Sequence, residues 1–217
     1  MSNNFSYQIP DYLLQSIRRD FDQNKTVSNI FFDQLYPEQL RRVSSTHWTP
    51  VEVAVKAAHF LNYKANCKIL DVGSGCGKFC LVGALSQQDC HFTGIEQRDN
   101  LTDIASHLAY NLSISNTTFI SGNAFDIEWS EFDGFYFYNP FWENHLSAEL
   151  RIDQTVTIGQ EIFEEYIRIV TNRLENLKKG THIVTYHGHG GRFPPTYECV
   201  SFQTCGTGQL KVWVKIK

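Results

Sequence analysis

Asp71-Val72-Gly73-Ser74-Gly75-Cys76-Gly77 is the stretch whose reading decides the fold. It follows a short apolar run at residues 67–72 (CKILDV) and leads into an apolar, helix-forming segment at 78–85. Glycine lets the backbone turn tightly and lets a ligand come closer than any side chain would allow. A helix start behind such a turn offers unpaired N–H groups to an anion. A nicotinamide fingerprint, G-x-G-x-x-G, would need its third glycine at position 78, which is Lys78.

Outward from this turn the chain alternates between strand and helix patterns. Strands are expected at 91–96 (HFTGIE), 117–122, 132–139 (FDGFYFYN) and 181–187, with helices at 99–112 and 157–177. The unbroken aromatic run at 132–139 suits a strand covered on both faces. Runs at 197–204 and 210–216 flank Gly206-Thr207-Gly208-Gln209, a hairpin signature. The expected fold is α/β: a doubly wound, mostly parallel seven-stranded sheet with a C-terminal antiparallel hairpin.

Upstream, residues 1–45 read as a helical extension, a lid or substrate platform ahead of a main domain at 46–217. Leu13, Leu14, Ile17 and Phe21 recur at helical spacing in 11–21; a second helix is expected at 26–36 and a third from Pro37. Thr49-Pro50-Val51-Glu52 predicts a capping box with Thr49 as N-cap, opening a helix to about residue 63.

Composition narrows the class. The 14% aromatic share among 217 residues is high, so many rings must fill a core or line a pocket. No apolar run reaches membrane-spanning length, and MSNNFSYQIP lacks the basic start and apolar core of a signal peptide, so the chain is expected in the cytoplasm. Six cysteines without a C-x-x-C pair read as small buried thiols rather than disulfides or zinc ligands. His182, His187 and His189 lack a completing ligand, so no metal is expected, and a loop closing over substrate suits the latter two better. Residues 67–179 hold eight Lys/Arg against sixteen acids, while 180–217 hold four against one. The acidic middle argues against indiscriminate nucleic-acid binding and leaves room for a local basic patch from the termini.

Further residues continue the pattern of the glycine turn. Glu96 ends the second strand 19 positions after Gly77, where an acid can accept from both hydroxyls of a ribose. Gly122-Asn123-Ala124 follows the third strand. This order resembles the class I, seven-stranded Rossmann-like methyltransferases that use S-adenosyl-L-methionine, over residues 46–217. The resemblance implies that Gly73, Ser74, Gly75 and Gly77 cradle the methionine carboxylate of that cofactor. It also implies that Asp71 takes the ammonium through water, that Glu96 holds the ribose, and that Asn123 and Ala124 meet the adenine. Asn123 stands where the family usually has Asp, which keeps an acceptor oxygen but loses the charge. His47-Trp48-Thr49-Pro50 resembles the aromatic-x-T-P element of amino-directed methyltransferases, which implies Trp48 and Thr49 at the methionine end.

Asn139-Pro140-Phe141-Trp142 follows the fourth strand. It resembles the N-P-P-Y/F/W motif of enzymes that methylate amino nitrogens, with one proline missing. The Y-N-P-F form is similar to a group of small bacterial methyltransferases, and together with D-V-G-S-G-C-G-K to the non-SET histone lysine methyltransferases. The resemblance implies that the Asn139 oxygen and the Pro140 carbonyl accept from the target N–H groups, with Phe141 or Trp142 walling the substrate. Glu143 and His145 are further candidates for proton acceptance. Nucleic-acid base, protein amine and small-molecule amine all stay open, as does a small-molecule O-methyltransferase. A non-catalytic binding protein is disfavoured by Asp71, Glu96 and Asn139 occurring together.

Overall fold

The computed structural model describes residues 8–217; residues 1–7, on which most of the signal-peptide reading rests, lie outside the described residues. The sheet is built around β1 (Lys68–Val72), whose last four residues are buried, as a central strand covered on both faces requires. β1 pairs in parallel with β2 (His91–Glu96) on one side and β4 (Gly134–Tyr138) on the other. β3 (Thr117–Ser121) extends the β2 side and β5 (His182–Tyr186) the β4 side, both in parallel. β6 (Tyr197–Cys205) and β7 (Gly208–Lys215) form the terminal hairpin, with β7 antiparallel to both β5 and β6. The order is β3-β2-β1-β4-β5-β7-β6, so the seven-stranded, doubly wound arrangement read from the sequence is the one observed. Gly206 and Thr207 make a two-residue hairpin turn, and Gly206 takes the positive φ (+56°) such turns demand.

Strand alternation sorts the core into two layers. Leu70, Val72, Phe135, Phe137 and Ile183 face α7 (Gln160–Asn176), which contributes Val170 and Leu174. Ile69, Tyr136, Val184 and Tyr186 face the opposite layer. That layer holds α4 (Val51–Leu61), α5 (Lys78–Ser86) and α6 (Asp99–Asn111). The aromatic run of β4 is therefore split between both faces, and the Tyr136 ring stacks on Phe79 of α5 at 3.9 Å.

The N-terminal helices α1 (Asp11–Asp22), α2 (Asn29–Asp33) and α3 (Glu38–His47) bury Leu13, Ile17, Phe21, Phe32 and Leu35 in the same layer as α4 and α5. Asp33 pairs with the buried Lys78 at 2.5 Å and accepts from Ser44 at 2.6 Å, tying α2 and α3 to the start of α5. α2 is shorter than the expected 26–36 because Ser28, not Thr26, is its cap, accepting from the Phe31 N–H. The capping box at Thr49 does not form. Pro50 occupies the N-cap, Thr49 exchanges its hydroxyl with Tyr136 (2.9 Å), Glu52 pairs with Lys56, and Asn29 accepts from the Val51 N–H. A tertiary partner has outcompeted the local one. Five of the cysteines are buried as expected, whereas Cys199, on the edge strand β6, is exposed.

Candidate active site

The three glycines of the turn after β1 all take positive φ, at 75°, 53° and 77°. Their neighbours differ. A Cβ on Gly73 would lie 3.0 Å from the Pro140 Cβ, and one on Gly77 2.6 Å from the Phe119 ring, while one on Gly75 would meet open space. Gly73 and Gly77 thus serve close packing, and Gly75 faces a cavity. The N–H groups of Gly73 and Ser74 donate to the Ile95 carbonyl, and that of Gly77 to Ser74, which fixes the turn on β2. The amides left for a ligand are those of Lys78–Cys80, which have no carbonyl one turn back in α5.

Glu96, at the end of β2, is buried. It accepts from the Gly75 N–H through Oε2 and from the Arg98 N–H through Oε1, both at 3.1 Å. A carboxylate has about four lone-pair directions, so room for two further donors is left. Burial raises its pKa, opposed by the Arg98 charge and these amides. Arg98 is itself buried and reaches three carboxylates: Glu96 (3.5 Å), Glu143 (2.9 Å) and Asp153 (3.0 Å). Asp71 alternates onto the α5 face of β1, where burial pushes its pKa to about 8, against the Cys80 thiol donating from 3.6 Å. The nearby Glu96 pushes the same way as burial.

Two adjoining cavities open at the carboxyl ends of the strands. The smaller, about 60 Å³, is lined by Ile95, Gly122, Asn123, Ala124, Phe141 and Tyr166 among others. The larger, about 620 Å³, is lined by Trp48, Gly75, Asn139, Trp142 and His187 among others. Gly73, Glu96, Arg98, Pro140 and Glu143 line both.

Asn139 takes φ +41°, a left-handed conformation that Asn tolerates better than most residues. Its N–H donates to the Gly188 carbonyl and its own carbonyl accepts from Trp142, which pins the segment between β4 and β5. Its carboxamide has no hydrogen bond among the described residues and lines the larger cavity. After this left-handed step the chain turns inward. Phe141 is buried against Tyr166 (5.3 Å) and lines the small cavity, whereas Trp142, 51% exposed, walls the large one. Of the two rings expected as a substrate wall, the structure puts Trp142 in that place.

The remaining expected residues fall on either side of the site. Trp48 reaches the large cavity, with its indole N–H buried and unpartnered. Thr49 sits behind it on Tyr136. The Asn123 oxygen accepts from the Phe125 N–H, closing its own turn, with one lone-pair direction left. Ser74 packs its side chain against Gly94. Glu143 is engaged by Arg98 and the Ile152 N–H, so it is not a free proton acceptor. His145 packs on Phe163. His182 stacks on Tyr63 at the far end of β5 from His187 and His189, and no group of metal-ligating side chains occurs among the described residues. Arg98, Asp153, Tyr166 and the α3 end at Ser45–His47 were not legible as site residues. An Arg two positions after a strand-end acid reads as a solvated surface cation.

A glycine turn ahead of a helix, with a strand-end acid beside it at the carboxyl edge of a doubly wound sheet, defines a class of nucleoside-binding α/β proteins. Residues 63–193 match the family model described as Methyltransferase domain, and the chain belongs to that family. It is a class I methyltransferase domain whose cofactor is S-adenosylmethionine. Over 131 residues it is 29% identical to a release factor glutamine methyltransferase of Buchnera aphidicola, covering 60% of this chain and 44% of that protein. The chain thus spans less than half the length of that relative. Two solved structures share the fold. An RNA methyltransferase from Salinibacter ruber, bound to S-adenosylhomocysteine, superposes with a TM-score of 0.55 at 18% identity, over 78% of this chain and 94% of that one. TrmN from Thermus thermophilus superposes with 0.60 at 14% identity, over 81% and 52%. No described helix is long and apolar enough to cross a membrane.

Proposed function

We propose that this protein transfers the methyl group of S-adenosylmethionine to a nitrogen atom. The observation that carries the reading is the unpartnered Asn139 carboxamide, held rigidly at the end of β4 and facing the large cavity beside Gly75 and Glu96. Glu96 would hold the ribose, the α5 N-terminus the methionine carboxylate, and the small cavity beside Asn123, Ala124 and Phe141 the adenine edge. Asp71 would take the ammonium. Trp48 would touch the methionine end, with Thr49 positioning it through Tyr136.

The chemistry is an in-line displacement at a sulfonium carbon, so positioning and exclusion of water do most of the work. The Asn139 oxygen and the Pro140 carbonyl would accept from the target N–H groups, and each bond strengthens as the nitrogen becomes positive. Trp142 would wall the acceptor. The helical N-terminus supplies the platform: the end of α3, through His47, lines the large cavity. The Buchnera relative is named for glutamine and the Salinibacter neighbour for RNA, which supports a nitrogen target without choosing between protein and nucleic acid. We place the reaction in the cytoplasm, in keeping with six free thiols. The test is transfer of tritiated methyl from S-adenosylmethionine into fractionated lysate. Label in an acid-stable N-methyl product supports the reading; label only in oxygen-linked products overturns it.

A further inference from the structure

A separate cavity of about 670 Å³ opens between the loop after β5 and the β6–β7 hairpin. It shares His187 and Thr207 with the large active-site cavity, so the two meet along one rim. Their charge differs. Glu96 and Glu143 line the active-site cavity, whereas the residues lining this one include Arg192 and Lys211 and no carboxylate. Neither cation has an ion pair or hydrogen bond among the described residues, although Arg98, Lys78 and Lys56 are all paired. Two of the four basic residues in the positively charged tail 180–217 are therefore turned to one cavity.

A buried polar group points the same way. His189 lines this cavity at 1% exposure, wedged edge-on against Phe193 at 4.6 Å, and neither ring nitrogen has a partner. Burial pushes its pKa down to about 4, so near pH 7 the ring is neutral, with one N–H to donate. A buried donor without a partner is costly, and a ligand oxygen would relieve that cost. Arg, Lys and an imidazole N–H set around one space suit a group with several oxygens in different directions. Phosphate fits this better than a planar carboxylate.

We propose that this cavity is a phosphate subsite of the methyl acceptor, in which Arg192, Lys211 and the His189 N–H bind a phosphate while the target nitrogen reaches Asn139 past His187. This inference rests on the reading of Asn139 given above. The phosphate has two possible sources, a free nucleotide or a nucleic-acid strand.

The experiment uses the full chain loaded with S-adenosylhomocysteine and two probes: the four nucleoside 5′-monophosphates by calorimetry, and a short fluorescein-labelled single strand of mixed sequence by anisotropy. At least one probe binds the wild type, and the one that binds names the source. The double variant Arg192→Ala/Lys211→Ala weakens that binding at least tenfold, as the loss of charge-assisted bonds implies. If the strand binds, the slope of log affinity against log salt falls by about 1.4 for two lost phosphate contacts. His189→Phe, which keeps the ring packing, weakens binding severalfold. Failure of both probes to bind the wild type, or wild-type affinity in the double variant, overturns the subsite. If that happens while S-adenosylhomocysteine still binds and Asn139 variants still lose rate, only the subsite is lost; if the cofactor also fails to bind, the methyltransferase reading goes with it.

Discussion

Replacing Asn139 separates chemistry from folding because the residue does two things that different substitutions can remove. Its backbone sits at φ +41°, and its carboxamide faces the large cavity without a partner. Alanine loses both the acceptor and some tolerance of the left-handed conformation. That conformation costs roughly 1–2 kcal/mol for ordinary residues and less for Asn, so stability should fall by about 1 kcal/mol. For a chain of this size this lowers Tm by about 2–4 °C. The lost transition-state contact should cost about 2.7–4 kcal/mol, a hundred- to a thousandfold in rate, by analogy with oxyanion-hole donors. Glycine discards the carboxamide while easing the backbone, so Asn139→Gly should melt at or above the wild-type temperature yet lose the same rate. Asn139→Asp keeps an acceptor and should retain more activity than either. Single-turnover transfer at saturating S-adenosylmethionine, beside calorimetric cofactor affinity and melting curves, reads all three variants. A glycine variant that transfers methyl at the wild-type rate would falsify the acceptor role and reduce Asn139 to a turn residue.

Other substitutions probe the rest of the site. Glu96→Ala should weaken cofactor binding by about 1.5–3 kcal/mol in calorimetry, the scale of bonds to a charged group, and unchanged affinity would remove it from the ribose site. Gly75→Val has open space for its Cβ, so the protein should fold with a modest drop in melting temperature from the positive φ, yet lose cofactor binding; retained affinity would make this turn merely structural. The carboxyl of Asp71 titrates near pH 8, so it is protonated near neutrality and must ionise to meet an ammonium. Cofactor affinity should therefore rise with pH towards 8, and close to one proton should be released on binding at about pH 6.5. Calorimetry in buffers of different ionisation heat measures this release, which Asp71→Asn should lose. His189 titrates near pH 4 when folded, below its unfolded value, so the unfolded chain binds more protons in between. Its contribution to stability is present above about pH 6.5 and lost as pH falls towards 4. Urea midpoints at both ends of that window should show a slope that His189→Phe flattens.

The elements readable from sequence were those whose local pattern and tertiary role agree. The glycine turn is one: its three positive φ values are a backbone demand that glycine alone announces. Glu96 is another, because a strand-end acid at that spacing already implies its direction. Thr49 misled because its box pattern is local, while the Tyr136 hydroxyl that captures it lies 87 residues away. Phe141 and Trp142 could not be ordered without the left-handed step at Asn139, which decides which of two adjacent rings turns inward. Arg98 was invisible for the opposite reason: its three carboxylates come from separate stretches of chain, and no local pattern records their convergence.

That convergence limits how the protein can be redesigned. Glu143 and Asp153 lie in the segment that walls the acceptor side, yet both spend their charge on a buried guanidinium that also reaches Glu96. Neutralising either one to reshape acceptor preference would leave Arg98 underpaired in a low-dielectric site, a change that commonly destabilises by several kcal/mol. The strain would be felt at the ribose acid. Retargeting the protein to a new acceptor should therefore begin at Trp142, His187 and the end of α3. These line the same cavity without touching this network, so the methyl donor's grip can stay fixed while the acceptor's changes.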